Sequence, residues 1–530
     1  MVNMLLISSI IIIIAMFSSK LSQKIGIPSL LLFIALGILF GSDGLFKIPL
    51  DNLELVKNIS SISLVFIIFY GGFKTRWKTA KPIAVRAILL STIGVFLTAI
   101  LVGLFCYYIL NIKLLESFLI GAIISSTDAA SVFSILKSKK LALKNQSAPL
   151  LEIESGSNDP SAYMLTVIIL SIMDKPLPIN KYISMVAIQF IFAIIIAVTF
   201  SYISKLVIKY FTLEGDELSL IFYVGTVLLV FSLSEKVGAN GYLATYIYGI
   251  IVGNQKIKNK SVITHFFDGL TALVQICVFF LLGLLAFPSQ IPSIALIALF
   301  IALFLTFIAR PIVTFLILKP FKCSINQIGL VSFAGIRGAS SIIFAIIATV
   351  TTSRIDNDIF HIVFCIVLLS ILFQGSLLPF IAKKLNMIDV TGDIFRTFSD
   401  YNEENDVQFI RLKINEKHPW NNKKIMDLIL PVDILVVLVL RNKQVIIPTG
   451  ETKILNKDEL IMAAPGFCDK TDIELKEIKI DKNSEWLNKE IKDIEITPYK
   501  LITIIKRGNK AIIPNGKTLI KDKDILVMLN

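Results

Sequence analysis

The sequence predicts a polytopic α-helical membrane protein with small α+β domains at its C-terminal end. Of its 530 residues, 55% are hydrophobic, and the mean hydropathy is +0.77. Residues 1–390 are apolar and carry a formal net charge of +12, whereas the charge-rich residues 391–530 carry only +1. Such a composition excludes an ordinary soluble enzyme. The basic excess lies among apolar runs, so it favours a bilayer over nucleic acid as the partner.

The apolar runs of the first 390 residues predict about thirteen transmembrane helices, because a span needs about 20 mostly apolar residues. The first run has no basic segment before it and is interpreted as a retained span. The predicted spans are 4–19, 25–41, 59–73, 84–110, 117–136, 149–173, 182–204, 218–235, 239–254, 264–287, 292–318, 326–350 and 359–382.

The loops provide an internal check on this number. Loops after odd-numbered spans contain 20 of the 29 Lys and Arg residues before position 390, and loops after even-numbered spans contain seven. Because cytoplasmic loops are enriched in cations, the N-terminus is expected outside the cell membrane and the C-terminal domains in the cytoplasm. The span 239–254 is short and glycine-rich, and its loss would reverse every later loop.

Composition also limits the chemistry. The five cysteines show no CxxC spacing, and the three histidines lie far apart. Neither a phosphate-binding loop nor a dinucleotide-binding motif is present. The sequence therefore predicts a protein that is not an enzyme and that requires no cofactor.

Polar and ionisable residues inside the predicted spans form a cluster of candidate site residues. Charge at bilayer depth costs about 2.5–3.5 kcal/mol per residue on insertion scales, so it usually marks an ion pathway. Spans five, six and twelve contribute Thr127, Asp128, Glu154, Ser155, Asn158, Asp159 and Arg337.

Hydroxyl and carboxylate oxygens suit a hard monovalent cation. Burial also disfavours the charged form of a carboxylate, so one Asp can hold either a proton or a metal ion. The alternative is that these polar groups only join helices by hydrogen bonds. Glu154 and Arg337 are predicted to form a structural ion pair. Arg310 is either an accessory residue or a side chain that reaches the membrane surface.

Spans five and twelve are seven apart, and small or polar residues interrupt both near the middle. Transporters with inverted repeats place discontinuous helices at corresponding positions, and the substrate site lies where they cross. The pattern predicts two inverted six-helix repeats joined by a seventh span.

Residues 1–385 resemble the monovalent cation:proton antiporters, and among them the bacterial NhaP-type potassium/proton antiporters. The resemblance depends on five motifs: Ser126-Thr-Asp-Ala-Ala-Ser131, Glu154-Ser-Gly-Ser-Asn-Asp159, Gly241-Tyr-Leu-Ala-Thr-Tyr-Ile-Tyr-Gly249, Gly335-Ile-Arg-Gly-Ala339 and Gln374-Gly-Ser-Leu-Leu-Pro379. It implies the Na+/H+ antiporter fold and a homodimer.

The resemblance also implies roles for single residues. Asp159 would bind the cation or proton, with Asp128, Ser155 and Thr127 as further ligands. Asn158 would tie span six to the broken span five, and an Asn-Asp pair marks the electroneutral branch of the family.

Two positions depart from the usual pattern. Ala129 replaces a proline that follows Thr-Asp in many relatives, which is typical of the potassium-type branch. Tyr70 occupies a position where relatives often carry an acid, so it is an accessory candidate for ion choice or gating. K+ is favoured, and Na+ stays open.

The C-terminal region is a tandem repeat. Shifted by 66 positions, residues 409–463 align with 475–529 without a gap and with 19 identities in 55 positions. Both copies read as strands and one short helix after the tryptophan, punctuated by Pro-x-Gly turns. They resemble the TrkA-C domain of regulators of potassium conductance, which implies a cytoplasmic sensor that in some bacteria binds cyclic di-AMP. A dimerisation module without a ligand is the alternative.

These observations divide the chain into a transmembrane domain (1–387), an acidic linker (388–408) and two TrkA-C-like domains (409–466 and 475–530). The expected function is secondary exchange of K+ or Na+ for H+ by alternating access, regulated through the C-terminal domains. A regulated cation channel and an anion or carboxylate symporter with the same tail are the alternatives. The channel alternative is disfavoured because the sequence contains no recognisable carbonyl filter. The symporter alternative is disfavoured because the acidic cluster would repel an anionic substrate.

Overall fold

The computed structural model divides the chain into two compact units, Met1–Ile394 and Phe395–Asn530. We call the first the membrane unit and the second the tail. The described residues are 9–18, 20, 28–48, 52–139, 141–210, 216–255, 257, 260–389, 407–416, 418–431, 434–441, 444–465, 475–481, 484–494, 502–507, 510–512 and 514–529. Most of the predicted acidic linker, residues 390–406, lies outside them.

Helices dominate the described part of the membrane unit. In chain order they are α1 (Ser9–Ser18), α2 (Ser29–Phe40), α3 (Leu53–Lys74), α4 (Trp77–Ala80), α5 (Ala84–Leu89), α6 (Val95–Tyr108), α7 (Leu114–Ile123), α8 (Ala129–Ser138), α9 (Ser147–Asp174), α10 (Ile179–Tyr210), α11 (Asp216–Lys236), α12 (Gly241–Gly253), α13 (Lys260–Leu284), α14 (Ile291–Phe304), α15 (Arg310–Leu318), α16 (Ile325–Phe333), α17 (Ala339–Thr351), α18 (Ile359–Leu369) and α19 (Ser376–Lys384).

Helix covers at least part of every predicted span in the described residues, and the number of membrane crossings stays a prediction. Seven helical stretches there are long and apolar enough to cross a membrane without help from a second segment. Several others are too short, and two predicted spans consist of paired short helices separated by non-helical chain. The membrane unit is therefore multi-pass. In each interrupted span, two short helices together form one predicted crossing.

The two interrupted spans are those that the sequence singles out. Helix α7 ends at Ile123 and α8 begins at Ala129, while α16 ends at Phe333 and α17 begins at Ala339. We call the connecting segments 124–128 and 334–338 the first and second breaks. The breaks touch, since the Asp128 amide donates to the Ile336 carbonyl at 2.7 Å. This bond supplies a partner to backbone groups that helix cannot satisfy.

Two of the three π-helical segments in the described residues provide a second sign of internal repetition. The third, Ser370–Gly375, lies in the last predicted span and has no counterpart in the sixth. Leu90–Gly94 lies between α5 and α6, and Leu305–Ala309 lies between α14 and α15. These segments fall in the fourth and eleventh predicted spans, the same separation of seven as the two interrupted spans. Such bulges inside helices are rare and occur often at functional sites.

A small sheet attaches the end of the membrane unit to the loop between α8 and α9. Strands β1 (Ala142–Leu143) and β2 (Ile388–Asp389) are antiparallel, and the Lys144 amide extends the pairing by donating to the Met387 carbonyl at 2.9 Å. The chain that leads to the tail is thus hydrogen-bonded to the connection between two helices of the candidate site.

The tail contains two four-stranded antiparallel sheets with the same topology. The first has the order β3-β6-β4-β5 and the second β7-β10-β8-β9. Their strands are β3 (Val407–Lys413), β4 (Leu435–Arg441), β5 (Gln444–Ile446), β6 (Glu459–Pro465), β7 (Leu475–Lys479), β8 (Ile502–Arg507), β9 (Lys510–Ile512) and β10 (Ile525–Leu529). Each sheet packs over a small core of its own. The expected short helix is one 3₁₀ turn in each copy, Ile425–Asp427 and Ile491–Asp493.

Candidate functional site

Helix α9 positions three of the predicted site residues in the middle of the membrane unit. Ser155, Asn158 and Asp159 are all buried on this helix. Pro160 follows them and has no amide hydrogen, so it weakens the helix at this point. Asn240, the N-cap of α12, donates Nδ2 to the Pro160 carbonyl at 2.7 Å. The polar segment of α9 is therefore held by a neighbouring helix.

Two side chains of α9 tie this helix to the first break. The Ser155 hydroxyl donates to the Thr127 carbonyl at 2.8 Å and accepts the Ala129 amide at 2.8 Å. Asn158 Nδ2 donates to Thr127 Oγ1 at 2.5 Å. Because α7 has ended and α8 has just begun, these contacts replace bonds that a continuous helix would make internally.

Asp159 lies where the two breaks come together. Ser126 of the first break donates its hydroxyl to Asp159 Oδ1. The Ser126 hydroxyl also lies 3.0 Å from the Ser340 hydroxyl at the start of α17. Asp159 is thus buried among oxygen atoms from both interrupted spans.

Asp128 ends the first break and faces the second. Its Oδ2 accepts the Ser131 hydroxyl at 2.5 Å. A methyl group added at Gly338 would lie 2.5 Å from the same Oδ2, so only glycine permits this approach. The carboxylate therefore sits beside the N-terminus of α17, where the helix dipole favours negative charge.

Arg337 binds the backbone of the first break. Its Nη1 donates to the carbonyls of Ser125 and Ser126 at 2.9 and 2.6 Å. Its own amide donates to the Ser370 hydroxyl at 2.9 Å. Carbonyls of the first break lie outside any helix and need partners when they are buried, and the guanidinium supplies one for Ser125 and Ser126. Arg337 therefore joins the second break to the first.

The predicted ion pair between Glu154 and Arg337 is wrong, because Glu154 pairs with Arg310. Adjacent residues of a helix point about 100° apart, so Glu154 faces away from the break that Ser155 contacts. There it meets Arg310, which begins α15 after a π-helical segment. Both partners of this pair are buried.

One of the two sequence interpretations had the Arg310 side chain reach the membrane surface. The structure contradicts it, because Arg310 is buried against Glu154. Gly335 makes room for it, since a methyl group there would lie 2.8 Å from Arg310 Nε. The Arg310 Nε and Glu154 Oε2 atoms are buried and have no hydrogen-bond partner among the described residues. The pair is charge-balanced but incompletely hydrogen-bonded.

Tyr70 contacts the neighbouring helix α13. It lies on α3, where its hydroxyl donates to the Thr264 carbonyl at 3.2 Å and its ring stacks on Phe267. The Lys74 ammonium lies 4.8 Å from the ring centroid. These contacts join α3 to α13.

The assembled site consists of carboxylate, hydroxyl and carbonyl oxygens, which suits a hard monovalent cation or a proton. Among the described residues, no three His, Cys, Asp or Glu side chains form a multivalent metal site. Sequence reasoning missed two members of the site, Ser126 and Ser340. Both lie in or beside the Ser-Thr-Asp and Gly-Ile-Arg-Gly motifs, so hydroxyl residues flanking these motifs were the available signal.

The comparisons with known proteins agree with this architecture. Residues 8–384 match the family model of the sodium/hydrogen exchanger transmembrane domain. The chain belongs to the sodium/hydrogen exchanger family. Residues 409–466 match the TrkA-C domain model.

Two relatives of this exchanger family member are bacterial K(+)/H(+) antiporters. NhaP of Alkalimonas amylolytica is 35% identical over 388 residues, which cover 72% of this chain and 67% of the relative. NhaP2 of Shewanella baltica strain OS223 is 30% identical over 456 residues, which cover 85% of this chain and 78% of the relative.

A solved structure shares the fold of the exchanger unit. The sodium proton antiporter MjNhaP1 from Methanocaldococcus jannaschii superposes with a TM-score of 0.64 at 24% identity. The match covers 73% of this chain and 99% of that protein. The membrane unit therefore has the antiporter fold that the family resemblance implies.

Proposed function

We propose that this exchanger family member is a secondary active antiporter that exchanges a monovalent cation, K+ or Na+, for H+ by alternating access. The observation that carries the proposal is Asp159, a buried carboxylate among oxygen atoms at the contact of two broken helices. The family match and the names of the relatives favour exchange over a channel or an anion symporter.

The mechanism follows from the cost of burying an unpaired charge. An ionised carboxylate away from water is unfavourable unless a proton or a cation neutralises it. The binding site therefore switches between the two membrane faces preferentially when Asp159 holds a proton or a cation. This requirement couples the flux of protons to the flux of cations. Asp128, Ser155 and the Thr127 carbonyl supply further oxygen ligands. Asn158 is neutral beside Asp159, which supports a one-for-one, electroneutral exchange.

The proposal also includes the orientation of the protein in the cell membrane. We propose thirteen spans in two inverted six-helix repeats, with the N-terminus outside the cell membrane and the tail in the cytoplasm. The distribution of loop cations supports this orientation. We further propose that the protein is a homodimer.

The tail is proposed to regulate the exchange. The TrkA-C match and the second sheet of identical strand order support two regulatory domains. A physical route is available through β2, which follows the last helix and pairs with β1 between α8 and α9. A displacement of β2 would shift the loop between α8, which follows the first break, and α9, which carries Asp159. Cyclic di-AMP is the proposed ligand of the tail.

The deciding experiment uses purified full-length protein in liposomes with an imposed pH gradient. We expect added K+ or Na+ to collapse the gradient, and Asp159→Asn to abolish the collapse. Asp174→Asn is the matched control, because Asp174 is an exposed carboxylate at the end of the same helix. It should exchange at the wild-type rate.

Two results would overturn the proposal. The first is gradient collapse that persists in Asp159→Asn at the wild-type rate. The second is cation flux without proton flux in the wild type, which would indicate a channel. A rate that is independent of membrane potential tests the electroneutral step separately. Addition of cyclic di-AMP to the tail side tests regulation, and absence of both binding and a rate change would leave a dimerisation role.

A further inference from the structure

The second interrupted span brings a hydroxyl group to the binding carboxylate. Ser340 lies in the first turn of α17, directly after the second break, and is buried. Its Oγ is 3.0 Å from Ser126 Oγ, which in turn donates to Asp159. The five ligand and positioning residues assigned above, from Thr127 to Asp159, all belong to spans five and six.

The chemistry of a hydroxyl suits a site that alternates between a proton and a metal ion. A serine can donate its hydrogen to an ionised carboxylate, or turn that hydrogen away and offer lone pairs to a cation. Ser126 and Ser340 are within hydrogen-bonding distance of each other. When Ser126 donates to Asp159, Ser340 can donate to the Ser126 hydroxyl. The pair can therefore serve both loaded states by rotation of two hydrogens.

The backbone at the N-terminus of α17 supports the same role for Ser340. Gly338 lets the Asp128 carboxylate approach the N-terminus of α17, and Ser340 in the same turn lies 3.0 Å from Ser126 Oγ, which donates to Asp159. One end of α17 thus lies beside Asp128 and is linked to Asp159 through the Ser126 hydroxyl. The approach of a second helix explains why the site needs both broken spans.

We propose that Ser340 is a cation ligand contributed by the second interrupted span, and that its hydroxyl sets the affinity of the site for the metal ion relative to the proton. This inference rests on the proposed antiport function and assigns a further binding residue to it. Ser341 provides a matched control, because it is the next residue and is fully buried, and its hydroxyl has no partner among the described residues.

The test measures exchange in liposomes as a function of cation concentration and pH. A hydrogen bond or ligand contact to a charged group is worth about 1.5–3 kcal/mol. We therefore expect Ser340→Ala to raise the half-saturating cation concentration by about tenfold or more. Because a proton needs no such ligand, inhibition by protons should extend to higher pH. Ser340→Thr should stay within about twofold of the wild type, and Ser341→Ala should be unchanged.

A second measurement separates a ligand from a packing residue. Ser340→Thr and Ser340→Val have nearly the same shape and differ in the hydroxyl. Protection against heat unfolding by K+ or Na+ in detergent should persist in the Thr variant and shift to about tenfold higher concentration in the Val variant. This comparison remains decisive if the Ala variant does not fold.

The outcomes distinguish this inference from the function on which it rests. If wild-type protein exchanges ions, Asp159→Asn does not, and Ser340→Ala and Ser340→Val retain the wild-type cation dependence, Ser340 is not a ligand although the antiporter proposal stands. If Ser341→Ala shifts the half-saturating concentration as much as Ser340→Ala, the effect is one of packing and the inference fails. If the wild type shows no exchange, the proposed function itself fails.

Discussion

Ion pairs with a buried carboxylate occur in the membrane unit and in the tail, and they differ in how completely the carboxylate oxygens are hydrogen-bonded. Both partners are buried in the membrane unit, whereas the arginine side chains of the tail pairs are 30% exposed. In the membrane unit, Arg310 binds one oxygen of Glu154, and the other oxygen has no partner among the described residues. In the tail, Arg441 binds both oxygens of Asp458, through Nε at 2.9 Å and Nη2 at 2.8 Å. The Leu455 amide adds a third bond at 2.8 Å.

The tail pair also recurs in the second copy. Arg507 binds both oxygens of Asp524 at 2.8 and 2.7 Å, and the Lys521 amide donates at 2.8 Å. A fully bonded pair that is repeated at a shift of 66 residues has a structural role, joining the end of a strand to a turn. The incomplete pair in the membrane unit leaves desolvated atoms uncompensated, so its net contribution to stability is smaller.

The largest expected effect breaks the membrane pair on one side only. Glu154→Leu leaves the Arg310 charge buried and alone, which should cost about 3–5 kcal/mol of stability. Adding Arg310→Met should recover much of this loss, because both charges are then gone. The measurement is thermal unfolding of the purified protein in detergent.

The same experiment tests which arginine is the partner. Arg337→Met in place of Arg310→Met should give no recovery, because Arg337 binds the carbonyls of Ser125 and Ser126. Recovery with Arg337→Met and none with Arg310→Met would restore the pairing that the sequence alone predicted.

A smaller effect is expected in the tail. Asp458→Asn and Asp524→Asn should each lower the stability of their own domain by about 2–3 kcal/mol, since each loses charge-assisted hydrogen bonds. Trp420 and Trp486 report on the first and second copies, and Trp77→Phe removes the third tryptophan. With Trp486→Phe or Trp420→Phe added, fluorescence during urea unfolding then follows the first or the second copy alone.

The exposed pair of Lys424 and Glu451 provides the control for these variants. Glu451→Gln should change stability by less than about 1 kcal/mol, because solvent screens the pair. Equal losses in Asp458→Asn and Glu451→Gln would contradict the structural role of the buried pair.

The smallest effect is a pH dependence confined to acid conditions. Burial raises the pKa of Asp458, but hydrogen bonds from Arg441 and the Leu455 amide and the Arg441 charge outweigh it and hold that pKa below its usual value. Asp524 has a lowered pKa for corresponding reasons. A lowered folded-state pKa gives stability that is present above the unfolded value of about 3.9 and is lost as pH falls through the folded value.

The stability of the tail should therefore be insensitive to these two groups near neutral pH and should fall below about pH 4. The measurement is tryptophan-monitored urea unfolding between pH 3 and pH 7. Asp458→Asn should flatten the acid limb for the first copy alone. An acid limb that is equally steep in this variant would show that other carboxylates cause it.

The sequence predicted the two breaks because their cause is local. Glycine, serine and charged residues interrupt apolar runs at 124–128 and 334–338, and such residues cannot continue a buried helix without partners. The tail duplication was equally accessible, since identical turn and core residues recur at one spacing. Neither argument reaches Ser340, whose role depends on a contact across 214 positions with Ser126.

The sequence by itself determined the membrane class of this protein, its two interrupted spans, its family resemblance and the repeated tail. The membrane class, the interrupted spans and the repeat follow from local composition and spacing, and the resemblance follows from five short motifs. Only the tertiary structure decided which arginine neutralises Glu154, and which hydroxyl groups surround Asp159. The reason is physical: hydrophobic periodicity determines which segments become helices, whereas the approach of α15 and α17 to α9 depends on how all the helices pack. One position along a helix turns a side chain by about 100°, and that rotation assigned Glu154 to Arg310 and Ser155 to the first break.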